Sequence, residues 1–469
     1  MAAGRDRAEA WFSSKFEWAL RDGEDSMTSP SMRPLEAALV DLFQHLGIGR
    51  AHFAAGQLVP TDWIGLAARY PERIASLTLV SPRVRRPELE SLGPRLMVLA
   101  GDAGPSGQGS ARLLAELTQA QSLVLRDYEC LPWSDLVADR GTEIVAGWLR
   151  FLDGLPLPAL ALPDGEGEAA GISYRIRGSG PPLVLMPLDL APAQWEPLIA
   201  ELVPRYSTIT LGGPLVGAVA LLESRGRSNY LAAIRALLDL VAIAPGETVL
   251  EVGGGSGVVL REIARRTAGA NAILDIDINP YLLREAAALA AREGLAERIE
   301  FREGSAEALP LADASIDVAL ALTVMEEGDA DRMMAELMRV TRPAGRIGAI
   351  VRAQDMSWWS NLPLNPALRA KVDRAGVLGA GVSPTGCADA SLYSRFCAAG
   401  LIDLRFFPLH VSAMPEIEPI RAGGLEQQVR TLLSGDELTE WDRAAAAAKA
   451  EGSFFISQPL HCAVGTKPG

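Results

Sequence analysis

Val249-Leu250-Glu251-Val252-Gly253-Gly254-Gly255-Ser256-Gly257 is the stretch that decides the fold. Its first residues read as a buried strand that ends at Glu251, and Val258 to Thr267 reads as the helix that follows. Between them Gly253, Gly255 and Gly257 let the backbone turn tightly and approach a ligand where any side chain would collide. Many strand-to-helix turns carry glycine, so the residues downstream decide what this one is for.

A second, mostly apolar run, Ala272 to Ile276, ends at Asp277-Ile278-Asn279-Pro280. Asp277 lies roughly 25 residues beyond Glu251, close to where a dinucleotide fold places its ribose-binding carboxylate. Then come a helix (Tyr281 to Glu293), a strand (Ile299 to Arg302) and Glu303-Gly304-Ser305-Ala306-Glu307-Ala308-Leu309-Pro310. Asp313-Ala314-Ser315 supplies turn chemistry before the buried strand Ile316 to Leu320. A helix (Ala330 to Thr341), Arg342-Pro343-Ala344-Gly345 and the strand Arg346 to Val351 complete the series.

In this order the motifs Glu251-x-Gly253-x-Gly255-x-Gly257, Asp277–Pro280, Glu307–Pro310, Ile316-Asp317-Val318 and Arg339–Gly345 resemble the core of the class I S-adenosylmethionine-dependent methyltransferases. The resemblance covers about residues 228–466, its motifs falling within 228–352, and implies a Rossmann-like α/β domain with S-adenosyl-L-methionine as cofactor. It implies that the glycine turn packs against the amino-acid part of the cofactor. Asp277 would accept from both ribose hydroxyls, which an anionic acceptor does more strongly than a neutral one. Ile278 would lie on the adenine face, and the Ala306 N–H would donate to the adenine edge. Ser305 stands where the family often has Asp, so binding is expected to survive with some loss of affinity. The methyl group would lie near the glycine turn and the strand end Leu322-Thr323-Val324. A helix over Arg225 to Leu240 would close the methionine end, with Tyr230 as its contact.

The formal net charge of −14 repels phosphate backbones, so a nucleic-acid partner is not expected, and Arg83, Arg85 and Arg86 read as a solvated loop. Four cysteines, Cys130, Cys387, Cys397 and Cys462, lack CxxC spacing and suggest no metal site. They read as reduced thiols of a cytoplasmic protein, with a soft-ligand site among the last three as the alternative. No run approaches 18 uninterrupted apolar residues, so no membrane partner is expected.

Residues 33–152 follow a different rhythm: a helix (Pro34 to Leu46), a strand (Ala51 to Ala54), a helix through Ala67 to Ile74, strands Leu77–Val80, Arg95–Leu99 and Ser122–Leu125, and a helix Thr142–Leu152. Ala67-Ala68-Arg69-Tyr70-Pro71-Glu72-Arg73-Ile74 followed by Leu77-Thr78-Leu79-Val80-Ser81-Pro82 resembles the later part of the α/β-hydrolase fold. Its catalytic positions do not match. Gln57 stands where the nucleophile elbow needs serine, Gly104 where the acid belongs, and Cys130 where the histidine belongs. His45 and His52 read as structural.

Ile172 to Pro187, Trp195 to Ile199 and Ser207 to Leu211 resemble the opening strands and first helix of the same fold, with Pro187-Leu188 in place of the usual His-Gly. The first segment lacks what the second supplies. The expectation is a circularly permuted, degenerate hydrolase-like domain in which Leu183–Met186 lies parallel beside Ala51–Ala54; two unrelated remnants are the alternative. The organisation read from sequence is an extension (1–32), a pseudo-hydrolase domain (33–216: late half 33–152, linker 153–170, early half 171–216) and a methyltransferase domain (217–469). Lid insertions are expected at about 353–388 and 411–451.

Those insertions would shape the acceptor site. Trp358 and Trp359 either stack on a flat acceptor or anchor the lid. His410 and His461 are base candidates and Arg352 a contact for an anionic group. Methyl transfer to a small molecule is the expected activity, and the acceptor atom stays open. A sensor that binds the cofactor without turnover, or a homodimer joined by the first domain, are the alternatives.

Overall fold

The computed structural model describes residues 35–56, 66, 69–82, 87–130, 136–188, 191–213, 215–374, 382–415, 418–430 and 432–469, all within the compact unit Pro34–Gly469. The extension 1–32, the arginine loop 83–86, Gln57 and the stretch Gly376–Gly381 lie outside the described residues.

Eight strands form the first sheet: β1 (Ala51–Ala55), β2 (Ile74–Val80), β3 (Leu96–Gly101), β4 (Gln121–Leu125), β5 (Gly165–Ala169), β6 (Ile172–Arg177), β7 (Pro182–Leu185) and β8 (Ser207–Gly212). Their order is β4-β3-β2-β1-β7-β8-β6-β5. Only β6 runs against the others. β1, β2, β3, β7 and β8 are buried along their whole length, as strands covered on both faces are; β3 and β7 are apolar throughout, while β1, β2 and β8 bury polar side chains such as His52, Thr78 and Thr208.

The parallel pairing expected between the two halves is present, with His52, Phe53 and Ala54 opposite Leu183, Val184 and Leu185. The linker 153–170 needs correction. Its Gly165–Ala169 portion is edge strand β5, paired with β6, and Leu160 bridges to Gly180. Leu66 and Arg69 are helical, but the helix expected to run through Ile74 ends in a 3-10 turn, Pro71–Arg73, after which Ile74 already belongs to β2.

The two halves also lock through side chains. Trp148, on the helix Leu136–Asp153, stacks on Trp195 with ring centroids 5.5 Å apart. Each indole N–H is satisfied inside, Trp148 at Thr78 Oγ1 (2.9 Å) and Trp195 at the Met186 carbonyl (2.7 Å). At the end of β1 the Gly56 N–H donates to the Pro187 carbonyl at 3.1 Å. A Cβ placed on Gly56 would lie 1.6 Å from the Leu188 carbonyl oxygen, so only glycine passes there.

His52 is buried between β1 and β2, its Nδ1 2.7 Å from Ser76 Oγ. Burial, helped by Arg50, pulls its pKa down from 6.5 to about 4. The unfolded chain therefore binds the extra proton between these two values, and stability present above pH 6.5 is lost as pH falls toward 4. We expect urea unfolding to register a loss of at most about 3 kcal/mol across that window, absent in a His52→Asn variant.

The second sheet contains β9 (Thr248–Val252), β10 (Ala272–Asp277), β11 (Ile299–Glu303), β12 (Ile316–Leu322), β13 (Thr341–Arg352), β14 (Trp359–Ser360), β15 (Ile402–Phe406), β16 (Leu409–Ala413) and β17 (Ile456–Thr466). The path is β11-β10-β9-β12-β13-β17-β14, with β15 and β16 also paired to β17. β9 to β13 are parallel, and β17 returns antiparallel to β13. The order reverses at β9, whose neighbours are β10 and β12. A ligand crevice is expected outside the carboxyl ends at such a switch point.

The helix expected over Arg225–Leu240 is present as Asn229–Val241, starting four residues later, and a separate helix, Gly217–Ser224, precedes it. Ser228 caps the second by accepting from the Tyr230 N–H, which fixes its start. The second insertion begins later than expected, because Leu409–Ala413 is strand β16 of the sheet. The helices Pro419–Arg430 and Gly435–Ala450 then join the first insertion around a core of their own that includes Trp358, Leu368, Trp441 and Phe454. Between the two sheets, Ala191 and Val219 pack on Leu282 and Leu289 of the helix Pro280–Arg292.

Candidate functional site

Gly253, Gly255 and Gly257 all adopt positive φ, +67°, +60° and +75°. At Gly253 a Cβ would also press to 2.5 Å from Val324 Cγ2. Glu251 is the penultimate residue of β9 rather than its last. The turn is held by the neighbouring strand. Gly253 N–H donates to the Ile276 carbonyl (2.8 Å), Gly254 N–H to Asp275 Oδ1 (3.1 Å) and Gly255 N–H to Asp277 Oδ2 (3.0 Å).

Asp277, 7% exposed, also accepts from the Asn279 N–H at Oδ1, 2.8 Å away. Asn279 in turn caps the helix that begins at Pro280. Each Asp277 oxygen thus accepts one backbone bond and keeps further acceptor capacity. Burial raises its pKa, opposed by those two N–H groups. The adjacent Ile278 is 71% exposed, a large apolar side chain left open beside a buried carboxylate. Ser305 Oγ accepts from the Glu307 N–H at 3.2 Å, and Gly304 N–H donates to the Asp277 carbonyl at 3.0 Å. The turn expected at Ser305 and Ala306 therefore abuts the end of β10.

At the other end of the turn Glu251 is buried, and its Oε2 has no hydrogen-bond partner among the described residues. Burial, reinforced by Asp275 on the neighbouring strand, pushes its pKa well up. Tyr230 is buried with its hydroxyl unpartnered, and Arg225 and Arg421 lie 5.2 and 5.5 Å from its ring centre. Arg225 Nη1 donates to Thr323 Oγ1 at 3.3 Å. Thr323 follows the buried Leu322 and holds φ +65°, a costly conformation for a β-branched residue, just where the sheet opens. Glu251, Tyr230, the glycine turn, Asp277 and Ile278 are thus all brought to the carboxyl edge of β9, β10 and β12.

The acceptor-side candidates sort differently. The Arg352 guanidinium pairs through Nε with Glu326, whose Oε1 also accepts the Arg352 backbone N–H at 2.6 Å. Removing it leaves a carboxylate that is only 3% exposed without its cation. We expect Arg352→Ala to cost about 2 kcal/mol in urea unfolding, a stability effect independent of any acceptor. Trp358 is 2% exposed within the insertion core, which assigns it the anchoring role. Trp359 on β14 is 50% exposed and meets Phe455 edge-on.

His410 Nδ1 lies 3.2 Å from Ser457 Oγ on the paired strand. His461 sits between Asp355 Oδ1 (2.7 Å) and the Tyr393 hydroxyl (2.8 Å), tying the start of the first insertion and the helix Ser391–Ala398 beyond it to β17. Cys387 and Cys462 are buried in cores on opposite faces of the sheet and Cys397 is exposed, so they form no common soft-ligand site. No group of three or more metal-binding side chains occurs among the described residues, and no helix among them is long and apolar enough to cross a membrane.

Sequence reasoning missed Arg225, Thr323 and a buried network around Ser256. Ser256 Oγ donates to Glu223 Oε1 (2.6 Å), Arg261 Nη2 to Glu223 Oε2 (2.6 Å) and Arg261 Nη1 to the Ser256 carbonyl (2.6 Å). The one available signal was Arg261, a cation within the apolar run that follows the turn.

Residues 249–345 match the family described as "Methyltransferase domain". An uncharacterised protein of Mycobacterium bovis is 31% identical over 176 residues, covering 36% of this chain and 62% of its own. A ubiquinone/menaquinone biosynthesis C-methyltransferase of Hahella chejuensis is 30% identical over 148 residues, covering 29% of this chain and 59% of its own. The chain thus spans 59–62% of the length of these relatives. Among solved structures, the YcgJ protein of Bacillus subtilis aligns with a TM-score of 0.36 at 17% identity, over 51% of this chain and 99% of that one.

Proposed function

We propose, from the match of residues 249–345 to the methyltransferase-domain family, that this chain is a class I methyltransferase that moves a methyl group from S-adenosylmethionine to a small-molecule acceptor. The observation that carries the reading is Asp277, fixed by two backbone N–H groups with acceptor capacity to spare, beside the open face of Ile278. A vicinal diol on a nucleoside suits that carboxylate and a purine suits that apolar face. The orphan Glu251 oxygen, buried at the other end of the glycine turn, suits a cationic or N–H-bearing group. These residues therefore fit S-adenosylmethionine in both halves.

When bound, that cofactor supplies an electrophilic methyl on a sulfonium. The chain's part is to orient and to exclude water. Tyr230, with Arg225 and Arg421 about its ring, covers the Glu251 end, and Thr323 fixes the end of β12 where an acceptor would approach. Direct displacement gains chiefly from alignment and desolvation, so it requires no dedicated base.

The first sheet is read as a circularly permuted hydrolase-like domain that serves as a scaffold. Counted from Gly165, its strands lie in the order 1-2-4-3-5-6-7-8 with only the second reversed, which supports this reading. The Gly56–Leu188 contact at the end of β1 supports a closed crevice rather than a catalytic one. Calorimetric titration of the intact chain with S-adenosylhomocysteine tests the methyltransferase reading. Saturable binding is expected, and its absence would refute cofactor use.

A further inference from the structure

We infer that Glu223, on the helix that leads from the first sheet to the second, is a positioning residue that fixes the cofactor turn and so sets affinity for S-adenosylmethionine. The inference rests on the reading that this turn holds that cofactor. Glu223 lies on the helix Gly217–Ser224, which follows β8 of the first sheet after a short connection. Its two carboxylate oxygens take separate donors, Ser256 Oγ and Arg261 Nη2, each at 2.6 Å. Arg261 closes the ring by donating to the Ser256 carbonyl, and its Nε is held by Glu293 at 2.9 Å.

All three central residues are inaccessible: Glu223 is 6% exposed, Ser256 0% and Arg261 2%. Ser256 stands between Gly255 and Gly257, both at positive φ, so its neighbours contribute freedom rather than rigidity. Beside the turn's own bond from the Gly257 N–H to the Gly254 carbonyl (2.9 Å), what fixes the Ser256 side of the turn comes from outside it. Leu222 adds a steric stop, its Cδ1 lying 3.0 Å from where a Gly255 Cβ would be. The same helix is seated on the nucleotide side by Val219 against Leu282 and Leu289. The clamp thus belongs to the connection from the first domain, and it bears on the backbone that must approach the cofactor.

The experiment is calorimetric titration of the full chain with S-adenosylhomocysteine for wild type, Glu223→Gln, Ser256→Ala and the double variant. Circular dichroism verifies the fold of each. Glutamine keeps the size of Glu223 and can still accept from Ser256, but it removes the charge that Arg261 pairs with. We expect Glu223→Gln to raise Kd about tenfold, the loss of a charge-assisted bond. Because both residues act through one network, the double variant should bind no more weakly than the weaker of the two single variants. A Trp148→Phe control, which loosens the first core away from the turn, should lower Tm and leave Kd unchanged. A folded Glu223→Gln protein binding within about twofold of wild type would overturn the inference, as would fully additive effects. If the intact wild type binds no S-adenosylhomocysteine, the cofactor reading itself fails and the inference with it.

Discussion

Asp277→Ala should abolish S-adenosylhomocysteine binding by roughly a thousandfold, the equivalent of two charge-assisted hydrogen bonds lost at once. The carboxylate has two duties. Toward the protein it accepts the Gly255 and Asn279 N–H groups, and in the proposed site its remaining lone pairs would take up a ligand diol. Alanine removes both, so the variant loses ligand contacts and relaxes the glycine turn together. Asp277→Asn separates these effects. Its carbonyl can keep one backbone bond, but its amide cannot accept, so affinity should fall less than in alanine while the fold is retained. Titrations of the three proteins at one pH, with circular dichroism as the fold check, decide the matter. An alanine variant that binds as wild type would remove Asp277 from the site. Because burial raises the Asp277 pKa above the usual carboxylate value, affinity should also fall as pH drops through that raised value and the acceptor is protonated.

Gly56→Ala should be the most destabilising single substitution in the first domain, costing about 4 kcal/mol or more. The added methyl would lie 1.6 Å from the Leu188 carbonyl oxygen and 2.1 Å from its carbon. These are backbone atoms, so no rotamer change relieves the overlap. Relief would require moving Pro187-Leu188 away from the end of β1, which breaks the Gly56 N–H to Pro187 bond and strains the neighbouring β1–β7 pairing. Urea unfolding monitored by tryptophan fluorescence reports on this region directly, since Trp148 and Trp195 stack across the same junction. An unchanged midpoint would mean that the two halves are not joined at Gly56.

The second sheet was legible because its signals are local. A glycine turn, an acid at a strand end and proline-glycine punctuation each concern a few neighbouring residues. The pairing of β1 with β7 was legible for another reason, since two incomplete segments complemented each other. β5 was missed because Gly165-Glu166-Gly167-Glu168-Ala169 is an edge strand with few apolar residues to bury, so it carries no period-two pattern. Trp358 and Trp359 could not be separated because they are adjacent in extended backbone at the start of β14 and face different ways, and only the position of the insertion core shows which is inside. The Glu223–Ser256–Arg261 clamp joins residues far apart in sequence and has no local period at all. The positive φ of Thr323 likewise follows from packing at the strand end rather than from any preference of threonine.

In the first sheet, neighbouring central strands are made far apart in time. His52 of central strand β1 waits for Leu183 of β7, about 130 residues later in the chain. At roughly 5–20 residues per second, that interval is on the order of ten seconds during synthesis. Throughout it β1 is an open edge of a half-built sheet, apolar but for His52 and lacking its neighbour. The nascent chain therefore passes through a sticky stage with this strand edge exposed. Yield in the cell should depend on whatever shields that edge until β7 arrives.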